Sequence, residues 1–415
     1  MRSLTMLMLA GLSLLSANHS RQIVFVRVVP IDEGIPSYAK MSNGKELVIL
    51  TDRAHADDES LAVSFNDDEY LALGEVITED ATVPHKVLFQ KGRIVLLALS
   101  AQDLHVHDQH GMPVTLLRAS KVLRTSIPSA LSASDFAELD DFAKPISFDP
   151  AVLQQRVSQL AGILPVTVNG ESKTITERGS LANKTIARAF LKEQLTAAGF
   201  VVSEHNYGSG KNLIAERTGS DPSKFLILSA HLDSVHNAGA DDDGTGIVSA
   251  WSIAEYLASQ NLKHTVRFVA FDEEEFGLIG SEKYAASLAN KGGFSGFLGD
   301  LNMEMTGYDS NQDGAIHIID CNEGTSKLLT TAVEASIRQQ NLALKKIDAC
   351  TNRSDHASFW QYDQPAIVVS QNFFGRPADA NPCYHKSCDK PDILNFAYMA
   401  KITAALAGAA ASLVL

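Results

Sequence analysis

Three consecutive aspartates, Asp241, Asp242 and Asp243, occupy the segment "GADDDGTG" at residues 239–246. Just upstream, "HLDS" places His231 and Asp233 directly after the apolar run "KFLIL". Adjacent carboxylates repel, and burying a charge is costly unless it is paired or bound to a metal. A solvated turn would account for the three acids but not for a His-Leu-Asp closing a buried strand. Downstream, "DEEEFGLIGS" contributes Glu273, Glu274 and Glu275, "LNMEMTG" contributes Glu304, and "CYHKSCD" contributes Tyr384 and His385. Imidazoles and carboxylates brought together have the composition of a zinc-type metal site. A carboxylate beside such a site is suited to moving protons.

The surrounding pattern shows how these residues can converge. From about residue 150 onward, helical and strand-like runs alternate. "ANKTIARAFLKEQLTAAGF", "GIVSAWSIAEYLASQ", "SEKYAASLAN" and "TSKLLTTAVEASIRQQ" read as helices, and "KFLILSA", "TVRFVAF", "FLGDLNM" and "PAIVVS" as buried strands. Strands alternating with helices imply an α/β fold, a mixed but mostly parallel sheet sandwiched by helices. In such sheets ligands sit outside the carboxyl ends of the strands. The first three strands are followed directly by "HLD", "DEEEFG" and "EMTGY", and the fourth by a longer loop leading to "NPCYHKSCD".

Residues 21–145 differ in texture. Short β-like runs such as "QIVFVRVV", "KELVIL", "HKVLF" and "RIVLLAL" alternate with acidic turns, as expected of a smaller strand-rich N-terminal domain. The Ser-, Asp- and Ala-rich stretch 125–150 reads as a linker. Residues 1–17, "MRSLTMLMLAGLSLLSA", read as a cleaved signal peptide, too short for a comfortable membrane span. The organisation expected is therefore a signal peptide over 1–17, an N-terminal region over 18–145 and a catalytic domain over 146–415. The apolar C-terminus contains many alanines together with Asn395 and Lys401, which suits a helix packed on a sheet better than one in a membrane. No stable membrane insertion is expected after signal cleavage.

The chain has 415 residues and a formal net charge of −14, so it has no basic surplus for a nucleic-acid partner. Its four cysteines, Cys321, Cys350, Cys383 and Cys388, fit an exported protein, secreted or periplasmic. Sequence alone does not choose among their pairings, though Cys383 and Cys388 are placed to close a small loop around His385. Other motifs have plainer readings. Asp241 and Asp243 are turn formers flanking Asp242, and Glu273 is a solvated neighbour of Glu274. "HVHDQH" (His105, His107, His110) is a polar turn. "GSGKN" lacks phosphate-loop spacing. Ser354 in "SDHASF" has no glycine elbow to make it a nucleophile, while Asp355 and His356 either support the site or are structural.

Taken in order, "HLDS…GADDDGTG…DEEEFGLIGS…LNMEMTG…SDHASF…CYHKSCD" resembles the secreted bacterial leucyl-aminopeptidase family of co-catalytic di-zinc exopeptidases, over roughly residues 150–415. The resemblance implies two Zn²⁺ per chain. His231 and Glu304 would hold one and Glu275 and His385 the other, with Asp242 bridging and a cis peptide between Asp242 and Asp243. It implies hydrolysis of N-terminal residues by a hydroxide bound to two zinc ions, with Glu274 as general base and Tyr384 stabilising the oxyanion. Four metal charges against three carboxylates leave one positive charge, which favours a bound hydroxide. Asp233 would fix the tautomer of His231. Many family members carry Asp where this chain has Glu304, and Asp300 is the alternative ligand. The partners implied are peptides with a free N-terminus, acted on by a monomer. Met305, Phe373 and Phe374 are candidate pocket residues, and the N-terminal region stands where the family carries a propeptide. A carboxypeptidase, a glutaminyl cyclase using one zinc, and a metal-free binding ectodomain are the alternatives on the same scaffold.

Overall fold

The computed structural model describes residues 129–136, 145–235, 237–374, 377 and 380–415, together with strands between Arg21 and Leu117. Residues 1–17 and the "HVHDQH" segment lie outside the described residues. The chain divides into two compact units, Met1–Leu123 and Arg124–Leu415.

The first unit contains two four-stranded antiparallel sheets. One is formed by β1 (Arg21–Pro30), β2 (Ala39–Ser42), β3 (Glu46–Thr51) and β4 (Leu61–Asn66), in the order β2-β3-β1-β4. The other is formed by β5 (Tyr70–Glu75), β6 (Lys86–Lys91), β7 (Ile94–Leu99) and β8 (Val114–Leu117), in the order β6-β7-β5-β8.

The second unit is built on an eight-stranded mixed sheet flanked by helices, beside a small hairpin of β9 (Val166–Val168) and β10 (Glu171–Lys173). Its strands are β11 (Val201–Asn206), β12 (Lys211–Arg217), β13 (Phe225–His231), β14 (Thr265–Phe271), β15 (Phe297–Glu304), β16 (Ala315–Ile319), β17 (Lys345–Lys346) and β18 (Ala366–Gln371). Their order is β11-β12-β14-β13-β15-β18-β16-β17, and the central four, β14-β13-β15-β18, run parallel. The helices are α1 (Pro150–Leu160), α2 (Leu181–Ala197), α3 (Gly246–Ala258), α4 (Ile279–Asn290), α5 (Ser326–Gln339), α6 (Ala357–Trp360) and α7 (Phe396–Val414).

Side-chain alternation along the central strands serves both faces of the sheet. Leu226, Leu228 and Ala230 of β13 and Val266, Phe268 and Ala270 of β14 join one buried cluster with Trp251 of α3 and Met399, Ile402 and Leu406 of α7. Phe225 and Ile227 of β13 and Val269 and Phe271 of β14 join a second cluster with Phe294, Phe297, Phe359, Trp360 and Tyr362. Helix α7 is long and apolar enough to cross a membrane by length and composition, yet most of it is buried inside this unit.

The second face changes character along the strands. It is aromatic at their amino ends, then turns polar: Ser229 and His231 on β13, and Asp300, Asn302 and Glu304 on β15, are all buried. Burial of so many polar groups requires partners: Ser229 and Asp300 bond each other within the sheet, while the partners of His231 and Glu304 lie beyond the strand ends.

Candidate metal centre

His231 and Glu304 are the last residues of β13 and β15, and Glu274 and Glu275 lie in the loop after β14. Asp242 lies in the tight turn 240–245 that enters α3, and its peptide bond to Asp243 is cis. His385 has φ +58° and sits on a loop closed by the Cys383–Cys388 disulfide; Cys321 pairs with Cys350.

These side chains converge. Asp242 Oδ1 lies 3.0 Å from His231 Nε2, and its Oδ2 lies 3.2 Å from His385 Nε2. Glu304 Oε1 is 3.6 Å from His231 Nε2, and Glu275 Oε2 is 3.0 Å from His385 Nε2. Asp242 thus presents one oxygen to a His–Glu pair on each side. His231 Nε2, Asp242 Oδ2 and Glu275 Oε1 are buried with no hydrogen-bond partner. Ligand atoms of His231, Asp242 and Glu275 all lie within 4.8 Å of one another, as do those of His231, Asp243 and Glu304. Orphaned buried imidazole nitrogen and carboxylate oxygen, gathered this closely, fit the donor set of zinc.

The charges show the same strain. Burial pushes the Glu275 carboxyl up to about 7, helped by repulsion from Asp242. Burial opposes the charge on His385, but the carboxylates of Glu275 and Asp242 raise it to about 11. Burial also lifts Glu274 well above the usual carboxylate range, and Glu304, Glu275 and Asp355 add to the effect against the attraction of His231. Cations placed among these acids would relieve the repulsion.

The neighbouring residues act mostly on backbone groups. Asp233 departs from the sequence reading. The His231 ring nitrogen Nδ1 lies 3.1 Å from the Asp233 main-chain oxygen and 3.6 Å from its carboxylate. The carboxylate instead accepts the amide N–H groups of Glu274 at 3.0 Å and Glu275 at 3.2 Å. Asp243 accepts the amides of His231, Gly246 and Met305, and Asp241 accepts Gln371, Asn381 and the Gly307 amide. Both are therefore buried braces of the turn, beyond the simple turn formers expected from sequence. Glu273 is buried at 8% exposure and bonded to Ser209, not solvated, because the 207–210 hairpin tip covers it.

Asp300 accepts from Ser229 Oγ at 2.7 Å inside the sheet, whereas Glu304 reaches the cluster. Ser354 Oγ donates to Glu304 Oε2 at 2.8 Å, which occupies it as an orienting group. His356 Nε2 bonds the Thr351 carbonyl and its ring packs edge-on against Trp360, a structural arrangement. Tyr384 stacks on the His385 ring at 3.8 Å, and Phe373 packs on Tyr384 at 4.7 Å. Met305 is buried at 1% exposure.

Sequence reasoning missed two residues. Asp389 accepts the amides of Asp241 at 2.9 Å and Asp242 at 3.2 Å, tying the His385 loop to the bridging turn. Arg178, fully buried, donates to the carbonyls of Leu160, Leu232, Ala238 and Gly239. Asp389 ends the "CYHKSCD" motif and was visible as a nearby acid; nothing local marks Arg178.

Comparison with known proteins bears on what this arrangement belongs to. The family model "Peptidase family M28" matches residues 212–410. Leupeptin-inactivating enzyme 1 of Streptomyces exfoliatus is 28% identical over 310 residues, covering 68% of this chain and 65% of that protein. Aminopeptidase Y of Saccharomyces cerevisiae is 29% identical over 206 residues, covering 46% of this chain and 36% of that protein. The chain thus spans less than two thirds of either relative. The solved structure of the Legionella pneumophila LapA aminopeptidase superposes with a TM-score of 0.62 at 18% identity, covering 83% of this chain and 98% of that one, which is a likeness of fold. Residues 212–410 of this chain form a Peptidase family M28 domain.

Proposed function

We propose that this chain is an exported di-zinc aminopeptidase that releases N-terminal residues from peptides. The observation that carries this reading is Asp242, whose two oxygens each face a histidine with its own carboxylate partner. His231 and Glu304 would hold one zinc, Glu275 and His385 the other, and Asp242 both. Bound there, the metal pair would supply Lewis acidity toward the scissile carbonyl and lower the pKa of water.

The chain's own residues do the rest. Glu274 takes a proton from the attacking water and passes it to the leaving amine. Asp233 steadies that carboxyl by holding the amides of Glu274 and Glu275. The Tyr384 hydroxyl donates to the carbonyl oxygen as negative charge develops there. Glu304, oriented by Ser354, lies where a free α-amine would dock. Two disulfides suit an oxidising compartment. Residues 18–145 are proposed to be a propeptide, removed near the linker at about residues 130–150.

Substrates with free and blocked amines test this reading. Leucine p-nitroanilide should be cleaved and its N-acetyl form left intact. Equal turnover of both contradicts an aminopeptidase. One zinc per chain, with cyclisation of N-terminal glutamine, would mark the cyclase instead.

A further inference from the structure

Arg353 stands one residue ahead of Ser354, the side chain that orients Glu304. Its guanidinium donates to the Tyr384 hydroxyl oxygen at 3.3 Å. A phenol is neutral at neutral pH and leaves the cation uncompensated. Among the described residues Arg353 has no carboxylate within ion-pair distance. The side chain is exposed, and among the described residues its one side-chain contact is to Tyr384, which uses few of the five guanidinium N–H donors.

Its position is also fixed. The Arg353 amide donates to Thr351 Oγ1 at 3.2 Å. Upstream, Cys350 is tied to Cys321, and downstream Ser354 bonds both Asn302 and Glu304. Tyr384 in turn stacks on His385, whose Nε2 faces Glu275 and Asp242. The guanidinium therefore stands one phenol away from the metal-ligand cluster. Among the described residues it is a cation without a carboxylate partner, at the edge of a site otherwise rich in carboxylates.

The reach matches a short substrate. An extended peptide advances about 3.3–3.6 Å per residue, so the next carbonyl carbon lies about that far beyond the scissile one. In a dipeptide that next carbonyl is the terminal carboxylate. With the Tyr384 hydroxyl on the scissile oxygen, as proposed above, a group bonded to that hydroxyl would stand about one residue beyond it. Arginine is the side chain best shaped to take a carboxylate with two parallel N–H groups.

We propose that Arg353 binds the free C-terminal carboxylate of the substrate, making dipeptides the favoured substrate class. This rests on the aminopeptidase reading above. The carboxylate would dock against the guanidinium while the α-amine docks at Glu304, so both ends of the dipeptide are read.

The test compares Leu-Gly with Leu-glycinamide in the zinc-loaded wild type and in Arg353→Gln. The wild type should favour the acid by about tenfold in kcat/KM, mainly through KM. The ratio should fall to about one in Arg353→Gln and partly recover in Arg353→Lys. Calorimetric binding of the two peptides to the zinc-loaded Glu274→Gln variant should show the same preference without turnover. Equal kcat/KM for acid and amide in the wild type overturns the inference, as does a preference that survives Arg353→Gln. A variant impaired equally on both peptides also overturns it, because Arg353 would then act through Tyr384. If the wild type cleaves neither peptide, the aminopeptidase reading itself fails, and this inference with it.

Discussion

Glu274 and Glu275 are neighbours in sequence with different surroundings. Glu275 faces His385 at 3.0 Å, while Glu274 has its amide held by Asp233 and no ion-pair contact with either histidine among the described residues. That separation is why one is assigned to metal and the other to proton transfer. Glu274→Gln should keep two zinc ions per chain by elemental analysis and lower kcat by about 10²–10⁴. Loss of zinc along with activity would make Glu274 a ligand. At this scale the sequence was most legible where a residue's type announces its chemistry: His231, Asp242, Glu275, Glu304 and His385 all meet. It was least legible where a carboxylate serves backbone amides. Asp233 and Asp389 do so, and the partners of such a group depend on loops that sequence does not position.

The loop after β14 is anchored by its first residue. Asp272 is paired with Lys184 at 2.7 Å and Arg188 at 3.0 Å, both from α2, and all three are buried. Removing one member of a buried ion cluster leaves the others uncompensated. Asp272→Ala should therefore cost about 3–5 kcal/mol in denaturant unfolding, and a loss within experimental error would show that α2 does not depend on this contact.

The amino end of α2 gives a pH signature. Burial opposes ionisation of Glu177, but bonds from Ser180, Asn183 and the amides of Ser180 and Gly179 lower its pKa from 4.5 to about 2. A lowered folded-state pKa stabilises above the unfolded value, and the contribution is lost as pH falls. Thermal melts should show that part of the stability present above pH 4.5 and fading toward pH 2, with a flatter acid limb in Glu177→Gln.

The elements themselves were unevenly legible. The buried parallel strands and their helices could be read because apolar runs and helical spacing are strong signals. Strands β11 and β12 were missed: β11, "VVSEHN", is a largely exposed edge strand with no apolar run. Helix α1 was not read from the sequence, because Asp149 and Pro150, at its start, look like the loop residues that close the linker. They are the N-cap, accepting the Ala151 amide at 2.9 Å, and the first helical position.

For the whole chain, the division between Leu123 and Arg124 separates a unit of antiparallel strands from one whose sheet carries the candidate metal centre. The propeptide proposal predicts that a precursor trimmed at about residues 130–150 gains kcat/KM on leucine p-nitroanilide; an untrimmed form of equal activity contradicts an inhibitory role. The larger unit was readable from alternating helices and strands and from the order of its motifs. The smaller one was readable only in texture, because short β runs without chemistry fix neither pairing nor register. Everything proposed for activity depends on Asp242 joining two metal ions. A crystal structure of the zinc-soaked protein with data at the zinc absorption edge tests this directly. The account predicts two anomalous peaks about 3.5–4 Å apart, one beside His231 and Glu304, the other beside Glu275 and His385, with Asp242 between them. A single peak, with Asp242 bound on one side only and His231 left unligated, would contradict it.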